Sequence, residues 1–199
     1  LDQIGIEQQT DKASQFTRTY AKPHGYLRHM ERFFEPFHEQ PVKLVEIGVG
    51  GGESIRTWLE YFPNAKVFGV DTTQGTNPYD TAGSGIHPRY TFTHGDQGDP
   101  NFWSDFTLSH GPFDIVIDDG SHYAKHIITT LNCLWLHLTS GGIYIIEDLN
   151  TAYGGAPFTE PGQPTQMDLV KTMLDSINRG ESQIERLHFS RELVIIKKV

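Results

Sequence analysis

The sequence has one cysteine, Cys133, in 199 residues. A lone thiol excludes an intramolecular disulfide, and inside the apolar run LNCLWLHL it reads as a small core residue rather than a nucleophile. No run of about 18 apolar residues is present, so no membrane-spanning helix is expected. The opening residues, LDQIGIEQQTDK, lack a basic head and an apolar stretch and do not read as a signal peptide. Basic clusters are missing as well. With 16 Lys and Arg against 25 Asp and Glu, the net charge is -9. Such a chain lacks the positive field that drives sequence-independent nucleic-acid binding. No internal repeat is present. The histidines other than His122 show no H-x-x-H or H-E-x-x-H spacing, which argues against a zinc site. These absences point to a cytoplasmic compartment, with neither nucleic acid nor membrane expected as partner.

What is present is a globular composition, 37% hydrophobic and 21% charged, of a length that suits one domain with a real core. The hydrophobic periodicity predicts a helix over 26–37 and a buried strand over 42–47 that ends in the glycine run 48–52. It then predicts a helix over 54–61 and a strand over 67–70 closed by Asp71. The stretch 72–88, rich in Gly, Thr and Pro, reads as a long loop. A strand over 90–93, a helix over 101–108 and a strand over 113–117 running into Asp118 and Asp119 follow. The pattern continues with a helix over 123–138 ended by Gly141 and Gly142, and a strand over 143–146 running into Glu147 and Asp148. A loop over 152–164, a helix over 167–179 and an antiparallel pair over 184–189 and 193–197 complete the chain. Strands alternating with helices imply an α/β fold: a mostly parallel sheet with a terminal antiparallel hairpin and helices on both faces. Ligands of such sheets bind beyond the carboxyl ends of the strands. Glu46, Asp71, Asp118, Asp119, Glu147 and Asp148 all stand at predicted strand ends and are expected on one rim.

The segment from Glu46 to Gly52 places alternate glycines, Gly48, Gly50 and Gly52, between a strand and a helix, as a nucleotide-binding turn requires. The dinucleotide spacing G-x-G-x-x-G fits imperfectly, because Ser54 stands near the position of its third glycine. A carboxylate at position 46 would repel a diphosphate but favours the cationic methionyl end of S-adenosylmethionine (SAM). That favours SAM over NAD. Asp71, about 20 residues beyond the glycines, can accept both ribose hydroxyls, a feature common to NAD and SAM folds. Gly95, Asp96 and Gln97 follow the third strand, where a carboxylate or amide can pair with the exocyclic amine of adenine. Asp118 is a further cofactor contact. Each of these residues has a plainer alternative as a solvated strand-end loop, Gln97 above all.

Asp119, Glu147 and Asp148 bring three carboxylates from two strand ends. Like charges that close are costly unless a cation lies between them, and a hard cation such as Mg²⁺ takes oxygen ligands. His122 lies three residues after Asp119, past a glycine. A histidine titrates near pH ~6.5 and suits removal of a proton near neutrality, so it is the expected general base for a hydroxyl nucleophile. The alternatives are an N-cap for Asp118 and Asp119, rim charges for Glu147 and Asp148, and a surface histidine for His122.

These motifs, Glu46-Ile-Gly48-Val-Gly50-Gly, Ser54-Ile-Arg56-Thr-Trp58, Tyr61-Phe62-Pro63, Gly95-Asp96-Gln97, Asp118-Asp119-Gly120-Ser121-His122 and Gly142-Ile-Tyr-Ile-Ile-Glu147-Asp148-Leu, resemble the metal-dependent sugar O-methyltransferases of macrolide and aromatic polyketide biosynthesis. Thr10-Asp11-Lys12, His24 and Tyr26 also look like that family's entry segment. The resemblance spans roughly 10–180 and implies a Rossmann-like SAM methyltransferase fold. It also implies SAM and Mg²⁺ as cofactors, a metal at Asp119, Glu147 and Asp148, and His122 as base. The acceptor it implies is a small natural product, glycosylated or polyhydroxylated, and relatives of this kind are often homo-oligomers. On this reading residues 1–40 form an N-terminal helical or lid segment and 41–199 the SAM-binding domain, one structural domain overall. The aromatic residues Phe16, Tyr20, Tyr26, Phe33, Phe34 and Phe37 either close over the cofactor or pack a helix on the sheet. The loop 152–164 is a second candidate lid. The competing readings are a SAM methyltransferase for nitrogen or catechol acceptors, a cephalosporin-type tailoring enzyme, a SAM-binding module without catalysis, and an NAD-dependent oxidoreductase. Glu46 and the missing third glycine argue against the last.

Overall fold

The computed structural model describes residues 1–17, 22–73 and 87–199. Tyr20 and most of the expected loop 72–88 lie outside the described residues. The chain divides into two compact units, Leu1–His94 and Gly95–Val199.

The first unit contains α1 (Asp2–Gln8), α2 (Tyr26–Phe34), β1 (Lys43–Ile47), α3 (Glu53–Tyr61), β2 (Lys66–Asp71) and β3 (Tyr90–His94). β1 pairs in parallel with β2, and β2 with β3. Leu44, Val45, Ile47, Val67 and Val70 are all buried, which explains why these strands read as continuous apolar runs rather than alternating ones. The helix expected over 26–37 is α2 followed by a single 3-10 turn over Glu35–Phe37. Tyr26, Leu27, Met30 and Phe34 form its buried face. Phe34 meets Trp58 and Phe62 edge-on, at ring-centroid distances of 5.7 and 5.3 Å. Side chains of this size contribute roughly 1.5–3 kcal/mol each when fully buried, so for Tyr26 and Phe34 packing is the role the structure shows. The short helix α1 was not anticipated. It packs on α2 and α3, and Gly5 lets it do so, since a Cβ there would overlap Leu27. Residues 1–40 are therefore tied into the first unit, beyond which that unit also takes in the first three strands.

The second unit contains α4 (Pro100–His110), β4 (Phe113–Asp118), α5 (Ala124–Trp135), β5 (Leu138–Ile146), α6 (Gln166–Arg179), β6 (Ile184–Ser190) and β7 (Leu193–Lys198). β4 and β5 are parallel. β7 runs antiparallel to both β5 and β6. The strand order is β3-β2-β1 within the first unit and β4-β5-β7-β6 within the second, mostly parallel with an antiparallel end, as expected. β7 lies inside because Leu193, Val194, Ile195 and Ile196 are apolar in succession and buried. β6, IERLHFS, has no buried residue and takes the edge.

One boundary differs from expectation. The helix expected over 123–138 stops at Trp135, and β5 begins at Leu138, well before Ile143. Gly141 and Gly142 lie within the strand rather than capping the helix. Leu138 pairs with Phe113 and Ile143 with Ile115, so β5 carries extra residues against β4. Gly141, with φ 77°, absorbs that bulge, a conformation that costs glycine little. Among the described residues, no helix is long and apolar enough to cross a membrane.

Candidate active site

In the first unit the chemistry gathers where β1 turns into α3. Gly48, Gly50 and Gly52 have φ of 84°, 52° and 80°, the left-handed region that excludes most side chains. The turn therefore requires glycine at alternate positions. Asp71, at the end of β2, closes it: Oδ2 accepts the backbone N–H of Val49 at 2.9 Å and of Gly50 at 3.3 Å, and Oδ1 that of Thr73 at 3.0 Å. These bonds hold the carboxylate at the mouth of the turn and leave lone pairs for further donors.

Glu46 is fully buried. Its Oε2 accepts the Ser54 hydroxyl at 2.8 Å and the Trp58 indole N–H at 3.1 Å. Both donors come from the first turns of α3, four residues apart and so on one face. The Lys12 ammonium, 2% exposed, stands 3.6 Å from Oε1. A buried carboxylate without partners costs several kcal/mol, and these three groups supply the compensation. The expected role of Glu46 toward a cationic ligand is therefore shared with a lysine of the chain itself, and the Ser54 hydroxyl is engaged inside the fold. Lys12 was noticed in the sequence only as part of the entry segment, because a partner 34 residues away has no local signature.

In the second unit the carboxyl end of β4 leads into the turn from Asp118 to His122. Asp118 is 1% exposed. Burial pushes its carboxyl up to about 7, opposed by hydrogen bonds from Gln97 and the Gly120 N–H and reinforced by the charge of Asp119. Gln97, also buried, donates Nε2 to Asp118 Oδ1 at 2.6 Å and accepts the Ser121 N–H on Oε1 at 2.9 Å. The amide thus clamps both ends of the turn. Its expected pairing with adenine is left one remaining N–H, because the acceptor oxygen faces Ser121. Asp96, beside it, is exposed, and its Oδ1 accepts the Gly98 N–H at 2.8 Å.

Beyond the turn, His122 and Asp148 both have left-handed backbones, with φ of 59° and 53°. Such residues cost of order 1–3 kcal/mol and are characteristic of functional sites. The His122 imidazole Nε2 lies 3.8 Å from Asp148 Oδ2, both side chains about a quarter exposed. Donor atoms of Asp119, His122 and Asp148 lie within 4.8 Å of one another. Two carboxylate oxygens at that spacing can serve a hard divalent cation, with the imidazole beside them. Glu147, expected among the ligands, is 2% exposed and outside this group of three. Its N–H donates to the Asp118 carbonyl at 3.0 Å, so it is anchored at the root of the same turn.

Immediately after His122 a groove of about 640 Å³ opens, lined by Tyr123, Ile128, Pro157, Phe158 and Pro164, with Lys125 and Glu160 beside it. Its second wall comes from the loop expected over 152–164. Tyr123 and Phe158 stand 6.0 Å apart between ring centroids.

Comparison with known proteins gives the family. Residues 45–149 match a family described as a methyltransferase domain. The chain is 34% identical over 184 residues to demethylmacrocin O-methyltransferase of Streptomyces fradiae, covering 84% of this chain and 45% of that protein. It is 37% identical over 169 residues to 8-demethyl-8-(2-methoxy-alpha-L-rhamnosyl)-tetracenomycin-C 3'-O-methyltransferase of Streptomyces olivaceus, covering 79% of this chain and 42% of the other. Among solved structures it is similar to the MycE methyltransferase of mycinamycin biosynthesis in complex with Mg, SAH and mycinamycin VI. That match has a TM-score of 0.84 and 31% identity, and covers 99% of this chain and 54% of MycE. The chain thus spans about half the length of the curated relatives it matches.

Proposed function

The chain belongs to the methyltransferase-domain family, and from that premise we propose that it transfers the methyl group of SAM to a hydroxyl of a sugar carried by a natural product, with Mg²⁺ as the metal. The observation that carries this reading is the gathering of Asp119, His122 and Asp148 donor atoms within 4.8 Å. Relatives named for O-methylation of demethylmacrocin and of a rhamnosyl tetracenomycin support the acceptor class, and the MycE complex supports the cofactor and metal.

In this proposal the glycine turn, through Gly48 and Gly50, leaves the backbone open to the methionyl part. Glu46 and Ser54 form its floor, and Asp71 receives the ribose hydroxyls. In the second unit Asp96 is the carboxylate offered to adenine, with Gln97 and Asp118 bracing the turn behind it. Asp119 and Asp148, with Glu147 as third carboxylate, would hold the cation. When bound, a divalent cation lowers the pKa of a coordinated hydroxyl and orients it. His122 takes the hydroxyl proton on Nε2, and the Asp148 carboxylate facing that nitrogen stabilises the imidazolium that results. The oxygen lone pair then forms the new C–O bond as the methyl leaves the sulfonium, which becomes the neutral thioether of S-adenosylhomocysteine (SAH). The groove beginning at Tyr123 receives the apolar aglycone, and the wall from 157 to 164 excludes water that would compete with the acceptor. A cytoplasmic location and homo-oligomeric assembly accompany this reading as expectations.

Titration calorimetry with SAM, SAH and NAD, in Mg²⁺ and in EDTA, tests the first half. SAM and SAH are expected to bind, and NAD is not. Transfer of a labelled methyl group to a panel of glycosylated macrolides and polyketides, abolished by EDTA, tests the second. NAD binding, or transfer indifferent to EDTA, refutes the proposal.

A further inference from the structure

Behind His122 and Asp148 lies a chain of hydrogen bonds that the proposed chemistry does not itself use. Thr151 stands in the 3-10 turn Leu149–Tyr153. Its hydroxyl donates to the Asp148 carbonyl at 2.7 Å and lies 3.5 Å from the His122 carbonyl. With its proton directed at Asp148, the oxygen is an acceptor on its other side. Gln166, the first residue of α6, fills that role with Nε2 at 2.7 Å. The direction of the chain assigns the amide: reversed, Gln166 would set a carbonyl oxygen against the Thr151 lone pairs.

Gln166 is fully buried, and its Oε1 has no hydrogen-bond partner among the described residues. A buried acceptor left empty is destabilising, and an apolar side chain of similar size would avoid the penalty. The amide is thus a poor choice for stability alone. What it does accomplish is to fix the Thr151 hydroxyl, which donates to the Asp148 carbonyl and lies beside that of His122, two of the four described non-glycine residues with left-handed backbones.

We infer that Thr151 and Gln166 are positioning residues that hold the backbones of His122 and Asp148 in the conformation that turns their side chains toward one another. This rests on the proposed metal and base site, and extends it to two residues that touch neither substrate nor metal.

The test uses Mn²⁺ as probe, counted by electron paramagnetic resonance, on the intact chain and the variants Thr151→Val, Thr151→Ser and Gln166→Leu. Partners that orient ligands typically change metal affinity by about 10–100-fold. Thr151→Val and Gln166→Leu are expected to weaken Mn²⁺ within that range, while Thr151→Ser, which keeps the hydroxyl, binds as the parent does. Gln166→Leu is expected to melt at or above the parent temperature, which a merely structural role would not allow, and SAH affinity stays unchanged in all three. Parental Mn²⁺ affinity in Thr151→Val or Gln166→Leu overturns the inference, as does a weakened Thr151→Ser. Failure of the parent protein to bind Mn²⁺ refutes the metal reading itself and the inference with it. The two failures are distinguishable because the first leaves the parent site intact.

Discussion

Two strand-end carboxylate sites, one in each unit, show how the same residue type is used in opposite ways. At the end of β1, Glu46 is satisfied by the fold: a lysine, a hydroxyl and an indole N–H reach it from α3 and the N-terminal segment. Beyond β4 and β5, Asp119 and Asp148 face a histidine across 4.8 Å or less, where the backbones of His122 and Asp148 are left-handed. The first arrangement lowers the energy of a buried charge with groups of the chain. The second holds charges together at a conformational cost, which is the expected condition of a site that completes itself with a ligand. A carboxylate at a strand end is therefore not by itself a functional signal. Its partners decide.

The largest expected effect tests the second site directly. His122→Ala should retain SAM binding and lose about 10²–10⁴-fold in turnover, measured by labelled methyl transfer. Retained Mn²⁺ affinity in that variant identifies the imidazole as base, and a matching loss of affinity makes it a ligand instead. Next in size, Lys12→Met should destabilise the chain by about 3–5 kcal/mol in chemical denaturation, because it leaves a buried charge unpaired. Asp119→Asn, measured the same way in EDTA, should be neutral or stabilising while weakening Mg²⁺ binding. Equal loss of stability in both variants would erase the contrast between the sites.

A smaller effect concerns Asp118, whose carboxyl is raised to about 7 by burial. Because it keeps its proton in the folded state where the unfolded chain has released it, stability falls as pH rises from about 4 to about 7 and levels off above. In EDTA, the Asp118→Asn variant should lack this component. Melting curves from pH 5 to pH 8 should therefore converge or cross relative to the parent, whereas parallel curves would mean that Asp118 titrates as an ordinary carboxyl.

The strand ends were readable in the sequence because continuous apolar runs stop at acidic residues, and the turn between β1 and α3 because its glycines alternate. The turn from Asp118 to His122 and the pair Glu147 and Asp148 were readable for the same reason: each is a local string at the end of a strand. Gln97 was not. Its type and position fitted a ligand contact, and only packing shows its amide spanning Asp118 and Ser121. The extension of β5 through Gly141 was hidden too, since a glycine pair after an apolar helix resembles a helix end as much as a strand bulge.

By itself, the sequence determined the order of strands and helices from α2 onward, the parallel sheet and the residue types at each strand end, because periodicity and glycine placement act over a few neighbouring residues. Only the tertiary structure decided which carboxylate is matched by Lys12, that β7 lies between β5 and β6, and that Thr151 and Gln166 stand behind His122 and Asp148. Those pairings join residues far apart in the chain, and their energies depend on burial and distance, which no local pattern encodes.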